Sequence, residues 1–240
     1  IERLQSFEAV VLIRERTIID DELLSQLPDL KLISQTGKIS NHLDLATCTK
    51  HGVAIAEGRG SPVAPSELCW ALIMASSRHI VPYAENFKQS QWQQSGSLGL
   101  GRALSGLTLG IWGYGKIGQR ISQYGKAFGM NVLVWGREPS REKALADGFQ
   151  VADSKQSFFA QSDVISLHLR LNKITEGCVT ANDLAQMKSD ALIVNTSRAE
   201  LIESGALYHA LQAGKPGYAA VDVFENEPAA LDNEPLLSLP

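Results

Sequence analysis

The stretch LTLGIWGYGKIG, residues 107–118, decides the fold. It begins as a short, largely apolar run, which is typical of a strand covered on both faces. Three glycines follow at the spacing Gly-x-Gly-x-x-Gly, and then comes a segment of helical periodicity that reaches Gly129. A second apolar run, Asn131–Trp135, comes next. Strand, glycine turn, helix and strand in this order predict the first unit of a parallel sheet.

Each glycine of this motif has its own physical reason. Gly113 permits the tight turn, Gly115 lets the backbone approach a pyrophosphate, and Gly118 allows close packing of helix on strand. The helix then begins with Lys116 and Ile117, whose free N–H groups attract phosphate. The motif therefore predicts a dinucleotide site formed by these five residues.

Apolar runs and helical segments alternate along nearly the whole chain. Further strands are predicted at Ala9–Ile13, Leu30–Ser34, Asp163–Leu169, Ala191–Asn195 and Tyr218–Val223. An apolar helix, Pro65–Ile80, and a polar stretch, Gln89–Gly106, separate the first two of these strands from the others. The pattern predicts an α/β protein, in which a Rossmann-type doubly wound parallel sheet accompanies a second, smaller flavodoxin-like α/β domain. The predicted domains are 1–79 and 80–240.

Composition excludes several classes of protein. The 240 residues are 44% hydrophobic and 20% charged with a net charge of −4, and the apolar runs are far shorter than the ~18–20 residues of a membrane span. Without a basic run, neither nucleic acid nor a membrane is an expected partner. Cys48, Cys69 and Cys178 are odd in number and far apart, which argues against both a disulfide framework and a metal site. We therefore expect a cytoplasmic protein with free thiols.

The end of the second strand bears on which dinucleotide binds. NAD-binding units usually place Asp or Glu there, but this chain has Gly136 followed by Arg137, with Arg141 a helical turn later. Without a carboxylate, a 2′-phosphate is not repelled, and a guanidinium can bind it. We therefore expect NADP rather than NAD. The alternative, in which Arg137 is solvated and Glu138 reaches the ribose, remains open.

Two later strands end in polar residues. ALIVNTSRAEL, residues 191–201, contains Arg198, and AAVDVFENEP, residues 219–228, contains Asp222 and Glu227. Ligands of open parallel sheets bind at the carboxyl ends of the strands. These three side chains are therefore expected to converge on the cofactor crevice.

Together with the glycine motif, these phrases resemble the D-isomer-specific 2-hydroxyacid dehydrogenases, which include glyoxylate/hydroxypyruvate reductases and phosphoglycerate dehydrogenases. The resemblance runs from about Ala9 to Pro240. It implies a homodimeric oxidoreductase that transfers a hydride between NAD(P)H and a small 2-keto acid to give a D-2-hydroxy acid. Residues 1–79 would then be a substrate-binding domain that is incomplete at its start, and residues 80–240 a dinucleotide-binding domain that is incomplete at its end. Helix Pro65–Ile80 and the segment around Trp92 are candidates for the dimer contact. The alternative from another class is a nucleotide-sensing corepressor on the same fold.

The resemblance also implies roles for single residues. Arg198 matches the arginine that binds the 2-keto acid, Glu227 the acid that pairs with the catalytic histidine, and Asp222 the acid that accepts a hydrogen bond from the carboxamide of the nicotinamide. Further side chains expected to line the cofactor are His168, Thr175 and Thr196. The catalytic histidine itself is expected in a Pro-His phrase just after Pro240, because none of the five histidines of the chain has that context.

On the substrate side, Gly37 and Lys38 stand where the family usually has a doubled-glycine loop that holds the substrate carboxylate. Gly37 keeps part of that pattern, and Lys38 either adds a positive charge to the carboxylate site or points to water. Arg14 resembles a substrate-side arginine of some relatives, although a solvated strand end is the preferred interpretation.

Overall fold

The structure, a computed structural model, describes residues 2–13, 17–40, 42–94, 96 and 99–239. Arg14 lies outside the described residues. The chain separates into two compact units, Ile1–Ser61 and Pro62–Pro240. This boundary differs from the one predicted between residues 79 and 80. The reason is that the helix beginning at Val63 packs against elements of the second unit.

The first unit contains a parallel sheet of three strands in the order β1-β2-β3. The strands are β1 (Ala9–Leu12), β2 (Leu32–Gln35) and β3 (Ala54–Glu57), and the helices are α1 (Asp21–Ser25) and α2 (Leu45–Lys50). Leu24, Ile33 and Cys48 are among its fully enclosed side chains. The prediction of a second, smaller α/β unit is thus confirmed.

The second unit contains six strands, all parallel, in the order β6-β5-β4-β7-β8-β9. The strands are β4 (Thr108–Trp112), β5 (Asn131–Trp135), β6 (Gln150–Val151), β7 (Val164–Leu167), β8 (Leu192–Asn195) and β9 (Tyr218–Val221). The helices are α3 (Val63–Ser77), α4 (Ile80–Lys88), α5 (Lys116–Ala127), α6 (Glu138–Ala146), α7 (Lys155–Gln161), α8 (Ala181–Gln186) and α9 (Ala206–Gln212). The predicted Rossmann-type sheet is confirmed.

Buried side chains cover both faces of this sheet. Ile111 and Cys69 belong to one hydrophobic cluster, and Ile165 and Phe158 belong to a second one. Strands β5 and β6 lie on one side of β4, and strands β7, β8 and β9 lie on its other side, so the strand order reverses between β4 and β7. The reversal opens a crevice at the carboxyl ends of β4 and β7, which is where sheets of this type bind ligands.

The predicted helix Pro65–Ile80 is two helices in the structure. His79 has a left-handed backbone with φ of 51°, and it separates α3 from α4. Pro82 explains the break, because its ring would clash with the carbonyl of residue 78 if α3 continued. Across the described ranges of the chain, no helix combines the length and the apolar character needed to cross a membrane.

Candidate functional site

The glycine loop joins β4 to α5. At Gly113 φ is +101°, and a Cβ atom there would lie 2.6 Å from the carbonyl oxygen of His168. At Gly118 it would lie 2.2 Å from the carbonyl oxygen of Gly113. Packing therefore requires both glycines. Gly115 differs, because it precedes α5 and a Cβ there would meet nothing within 4 Å. The space beside the first N–H groups of α5 is open, as a pyrophosphate would require.

The Tyr114 side chain holds the glycine loop against the segment that follows α6. Its side chain is 3% exposed, its hydroxyl donates to the Asp147 carboxylate at 2.9 Å, and its ring contacts Phe149 edge to face. Burial and the neighbouring carboxylate raise the pKa of Tyr114. Gln119 adds a bond from its side-chain amide to the Tyr114 carbonyl at 3.0 Å. The sequence motif leaves Tyr114 as an arbitrary residue, so the pattern gave no reason to predict this role.

The end of β5 presents basic side chains. Arg137 directly precedes α6, is exposed, and has no side-chain partner within the part of the chain that the structure describes. Arg141 donates to Glu138 at 2.8 Å and lies over the Trp135 ring, with its guanidinium carbon 5.4 Å from the ring centroid. Glu138, the alternative ribose ligand, is therefore already paired with Arg141.

Hydrogen-bonded polar side chains connect α3 with β7 and the residue that follows it. The Nε2 atom of His168 lies 2.9 Å from the Ser166 hydroxyl, which lies 3.1 Å from the Cys69 thiol. Burial lowers the pKa of His168 to about 4 and raises the pKa of Cys69 to about 11. At neutral pH the imidazole is therefore uncharged and the thiol protonated.

The residues next to Arg198 hold the loop after β8 in place. The Asn195 side chain accepts a bond from the Ser197 N–H at 3.0 Å and donates to the Arg198 carbonyl at 2.8 Å. The Ser197 hydroxyl donates to the Leu167 carbonyl of β7 at 2.8 Å. Arg198 then directly precedes a short 3-10 turn, Ala199–Leu201. Asn195 and Ser197 are thus supporting residues that sequence reasoning missed, although both lie in the NTSR phrase.

Asp222 and Glu227 follow β9. The Asp222 N–H donates to the Asn195 carbonyl at 3.3 Å, so it extends the pairing of β9 with β8. Both carboxylate residues are exposed. Glu225, between them, accepts bonds from the Ser204 hydroxyl at 2.5 Å and the Gly205 N–H at 2.8 Å.

The segment beyond Glu227 is fixed by its own polar residues. Glu234 is 3% exposed and accepts bonds from the N–H groups of Asn226 and Leu236, both at 3.4 Å. Asn226 donates from its side chain to the Asn233 carbonyl at 2.9 Å. These contacts stabilise the segment that carries Glu227.

Most of the predicted residues of the second unit lie at one edge of its sheet. The glycine loop, Arg137, His168, Thr196 and Asp222 follow the carboxyl ends of β4, β5, β7, β8 and β9, respectively. Thr175 is different, because its hydroxyl accepts from the Asn172 N–H at 2.9 Å and donates to the Arg170 carbonyl at 2.6 Å. The Thr175 side chain therefore stabilises a turn of its own loop.

The first unit holds Gly37 and Lys38 just beyond β2. Lys38 forms an ion pair with Glu57, and Glu57 also accepts a bond from the Ile39 N–H at 2.8 Å. Lys38 thus fits neither predicted alternative alone, because its charge is balanced by an acid. The N–H groups of Gly37 and Lys38 have no hydrogen-bond acceptor among the described residues.

The family model for the NAD binding domain of D-isomer specific 2-hydroxyacid dehydrogenases matches residues 70–240. The chain belongs to this family. The predicted resemblance is confirmed, and the match begins inside α3.

Individual relatives support the same assignment. A phosphoglycerate oxidoreductase from Vibrio cholerae, known from its crystal structure, is 64% identical with a TM-score of 0.94, and the match covers 100% of this chain and 76% of that one. A D-3-phosphoglycerate dehydrogenase of Archaeoglobus fulgidus is 32% identical over 100% of this chain and 45% of its own length. A glyoxylate reductase of Aeropyrum pernix is 35% identical over 88% of this chain and 64% of its own length. The chain thus spans about half the length of these curated relatives.

The residues of the second unit fit the cofactor that this dehydrogenase family binds. Gly115 leaves room for a pyrophosphate at the start of α5, and Arg137 stands at the end of β5, where the ribose is read. Thr196 and Asp222 stand at the opposite half of the edge, after β8 and β9. The second unit is therefore an NAD-binding domain.

Proposed function

We propose that the protein transfers a hydride between NAD(P)H and a small 2-keto acid, giving a D-2-hydroxy acid. The observation that carries this proposal is the position of Arg198, Asp222 and Glu227. They follow two adjacent strands, β8 and β9, at the sheet edge where the glycine loop is open. An arginine and two acids beside a dinucleotide site are difficult to explain by stability alone.

The chemistry of these side chains fits the reaction. The bound NAD(P)H supplies the hydride. The Arg198 guanidinium suits a 2-keto acid, because it can bind the carboxylate and stabilise the developing alkoxide. Asp222 would accept a hydrogen bond from the carboxamide and so orient the nicotinamide. Glu227 would pair with a histidine and raise the pKa of its imidazole, so that the imidazolium donates the proton.

A carboxylate site is proposed at Gly37 and Lys38 of the first unit. It is supported by the two N–H groups without acceptors at the end of β2, since consecutive N–H groups bind anions. The Lys38–Glu57 ion pair suggests that the lysine holds this loop in shape through Glu57, which also binds Ile39. The two curated relatives described above, named for phosphoglycerate and for glyoxylate, both take substrates of this small carboxylic acid class.

The test is oxidation of NADH and NADPH by the full-length protein with glyoxylate, hydroxypyruvate, pyruvate and larger 2-keto acids. Arg198→Ala should reduce kcat/KM by roughly a hundredfold or more for the best substrate, because a charged partner of the carboxylate is lost. The exposed Arg170, in the loop after β7, offers a matched control, and Arg170→Ala should leave the rate unchanged. Cofactor binding without turnover of any acid would favour the nucleotide-sensing alternative.

For the cofactor we propose a preference for NADPH. The support is the absence of an acid at Gly136, the exposed Arg137, and the pairing of Glu138 with Arg141. Arg137→Ala should raise the Kd of NADPH about tenfold or more and leave that of NADH unchanged. Lys143→Ala, on the exposed side of the same helix, is the control for a general loss of positive charge. Equal effects of Arg137→Ala on both cofactors would contradict the proposal.

We further propose a homodimer. Apolar side chains are exposed on α4 and in the segment after it, including Val81 at 64%, Phe87 at 68% and Trp92 at 74%. Large apolar side chains exposed in one stretch of the chain are typical of a protein contact. Trp92→Glu should shift the mass measured by light scattering from dimer to monomer, whereas Leu145→Glu, at a position on α6 that is 60% exposed, should not. A monomeric wild-type protein would disprove the proposal.

A cytoplasmic location is proposed as well. It is supported by the three cysteines, all of which are free thiols in the structure. Fractionation of cells with an antibody to the protein would test it, and recovery of the protein in an oxidising compartment would argue against it.

A further inference from the structure

One buried side chain fixes the backbone of the loop that carries Arg198. Asn195, the last residue of β8, is 1% exposed. Its amide oxygen accepts from the Ser197 N–H at 3.0 Å, and its amide nitrogen donates to the Arg198 carbonyl at 2.8 Å. The φ and ψ angles of Ser197 and Arg198 lie between these two anchored atoms, so a single amide constrains all four. Because Asn195 is buried, water cannot replace either bond.

The Arg198 side chain is tied to the same loop. Its Nη1 atom donates to the Ser197 carbonyl at 2.7 Å. The Ser197 hydroxyl in turn donates to the Leu167 carbonyl of β7 at 2.8 Å. The backbone that Asn195 fixes therefore also carries the carbonyl that the guanidinium contacts. Loss of the Asn195 amide would release both the main chain of Arg198 and an acceptor of its side chain.

Asn195 also contacts the segment after β9, but it does so through its main chain. Its carbonyl accepts from the Asp222 N–H at 3.3 Å, one residue beyond the paired residues Asn195 and Val221. One residue thus holds two segments of the binding edge, with its side chain on the Arg198 loop and its carbonyl on Asp222. Mutation separates the two contacts, because a substitution at position 195 changes the side chain and keeps the carbonyl.

We propose that Asn195 is a positioning residue that sets the Arg198 guanidinium relative to Asp222 at the binding edge. Its amide places the arginine that would bind the 2-keto acid, and its carbonyl places the acid that would orient the nicotinamide. The inference rests on the proposed function, because it requires that Arg198 contacts the substrate. Without the amide, the guanidinium is no longer held in one position, and a displacement of about 1 Å is enough to slow a reaction severalfold or more.

The experiment compares substrate turnover with cofactor binding in the full-length protein. For the wild-type protein and Asn195→Ala, it measures kcat/KM with the best 2-keto acid and, by calorimetry, the Kd of NADH. We expect kcat/KM to fall about tenfold, less than for Arg198→Ala, and the Kd of NADH to stay within about twofold. Ser162→Ala is the matched control, because it removes an equally buried bond to the Phe158 carbonyl before the amino end of β7, and it should change neither quantity.

Asn195→Asp adds a pH signature that loss of stability alone would not produce. The carboxylate of this variant can accept from the Ser197 N–H but cannot donate to the Arg198 carbonyl, whereas the protonated carboxyl group can do both. The ratio of kcat/KM between wild type and Asn195→Asp should therefore rise with pH between about 5.5 and 9. The corresponding ratio for Asn195→Ala should not depend on pH. If Asn195→Ala does not fold, Asn195→Asp carries the test.

Three results would overturn the inference. They are an unchanged kcat/KM in both variants, a rise in the Kd of NADH by the same factor as the fall in kcat/KM, and a pH-independent ratio for Asn195→Asp. A wild-type protein that reduces no 2-keto acid would instead disprove the proposed function, so the two failures are distinguishable.

Discussion

Replacement of Gly115 by alanine separates cofactor binding from folding. Gly115 has φ of −85° and ψ of −163°, which an L-residue adopts without strain, and an added Cβ would meet no atom within 4 Å. Alanine lowers the entropy of the unfolded chain, which stabilises the folded protein by about 0.4–1 kcal/mol. Alanine is also a poorer N-cap residue than glycine, and this destabilises the folded protein by about as much. The free energy of unfolding of Gly115→Ala should therefore stay within about 0.5 kcal/mol of wild type.

Binding should respond quite differently. The methyl group would stand in the open space beside the first N–H groups of α5, where a pyrophosphate would accept charge-assisted hydrogen bonds. Loss of one such bond costs about 1.5–3 kcal/mol, so the Kd of NADH should rise roughly ten- to a hundredfold. Calorimetric titration with NADH and urea unfolding of the same preparations measure the two quantities.

Two other glycines supply controls. Gly118→Ala would bring a Cβ within 2.2 Å of the Gly113 carbonyl oxygen, so it should lower stability by about 1–3 kcal/mol even without ligand. Gly60→Ala, in a loop of the first unit where a Cβ meets nothing within 4 Å, should change neither stability nor binding appreciably. If Gly115→Ala folds normally and binds NADH with the wild-type Kd, the assignment of the glycine loop as the pyrophosphate site is refuted.

Two further predictions concern stability. Asp163 is 9% exposed and accepts bonds from the Thr108 N–H at 2.7 Å and from Lys188 at 2.6 Å, so Asp163→Ala should lower the free energy of urea unfolding by about 2–3 kcal/mol. Asp190→Ala, which removes an exposed acid paired with Arg102 at 3.2 Å, should cost less than about 1 kcal/mol, and equal costs would contradict the special role of Asp163. His168 has its folded pKa lowered to about 4 from 6.5, so its contribution is present above pH 6.5 and is lost as the pH falls towards 4. Between pH 6.5 and 4, the free energy of unfolding of the wild-type protein should therefore fall by up to about 3 kcal/mol more than that of His168→Gln. Equal falls for the two proteins would show that protonation of His168 does not oppose folding.

The sequence predicted the strands that are buried on both faces. β4, β5 and β8 are short apolar runs next to strong turn or helix signals, and the structure confirms them almost to the residue. β3 and β6 were missed because Ala54–Glu57 and Gln150–Val151 are too short and too polar to stand out from loops. Their pairing depends on a neighbouring strand, which a local pattern does not contain.

In the candidate site, too, local sequence patterns predicted some residues, whereas contacts formed only in the folded chain could not be predicted. Polar residues just after apolar runs identified Arg198 and Asp222, because the carboxyl ends of parallel strands share one edge. The residue that holds both of them was not predictable, because Asn195 acts through contacts with the Arg198 carbonyl and the Asp222 N–H that only the folded chain brings together. The boundary after Ser61 was missed for a related reason, since α3 follows the first unit in sequence but packs with the second.

The hydrogen bond from Tyr114 to Asp147 has a consequence for redesign of cofactor preference. Asp147 directly follows α6, the helix that Arg137 begins, while Tyr114 lies inside the glycine loop. The Tyr114–Asp147 hydrogen bond therefore links the glycine loop, which would hold the pyrophosphate, to the helix that follows Arg137, which would contact the ribose. A chimaera that exchanges residues 137–146 with those of another dehydrogenase should keep Asp147, or import a matching pair at both ends of the bond. Otherwise, a swap intended to change specificity would also loosen the loop on which affinity for either dinucleotide depends.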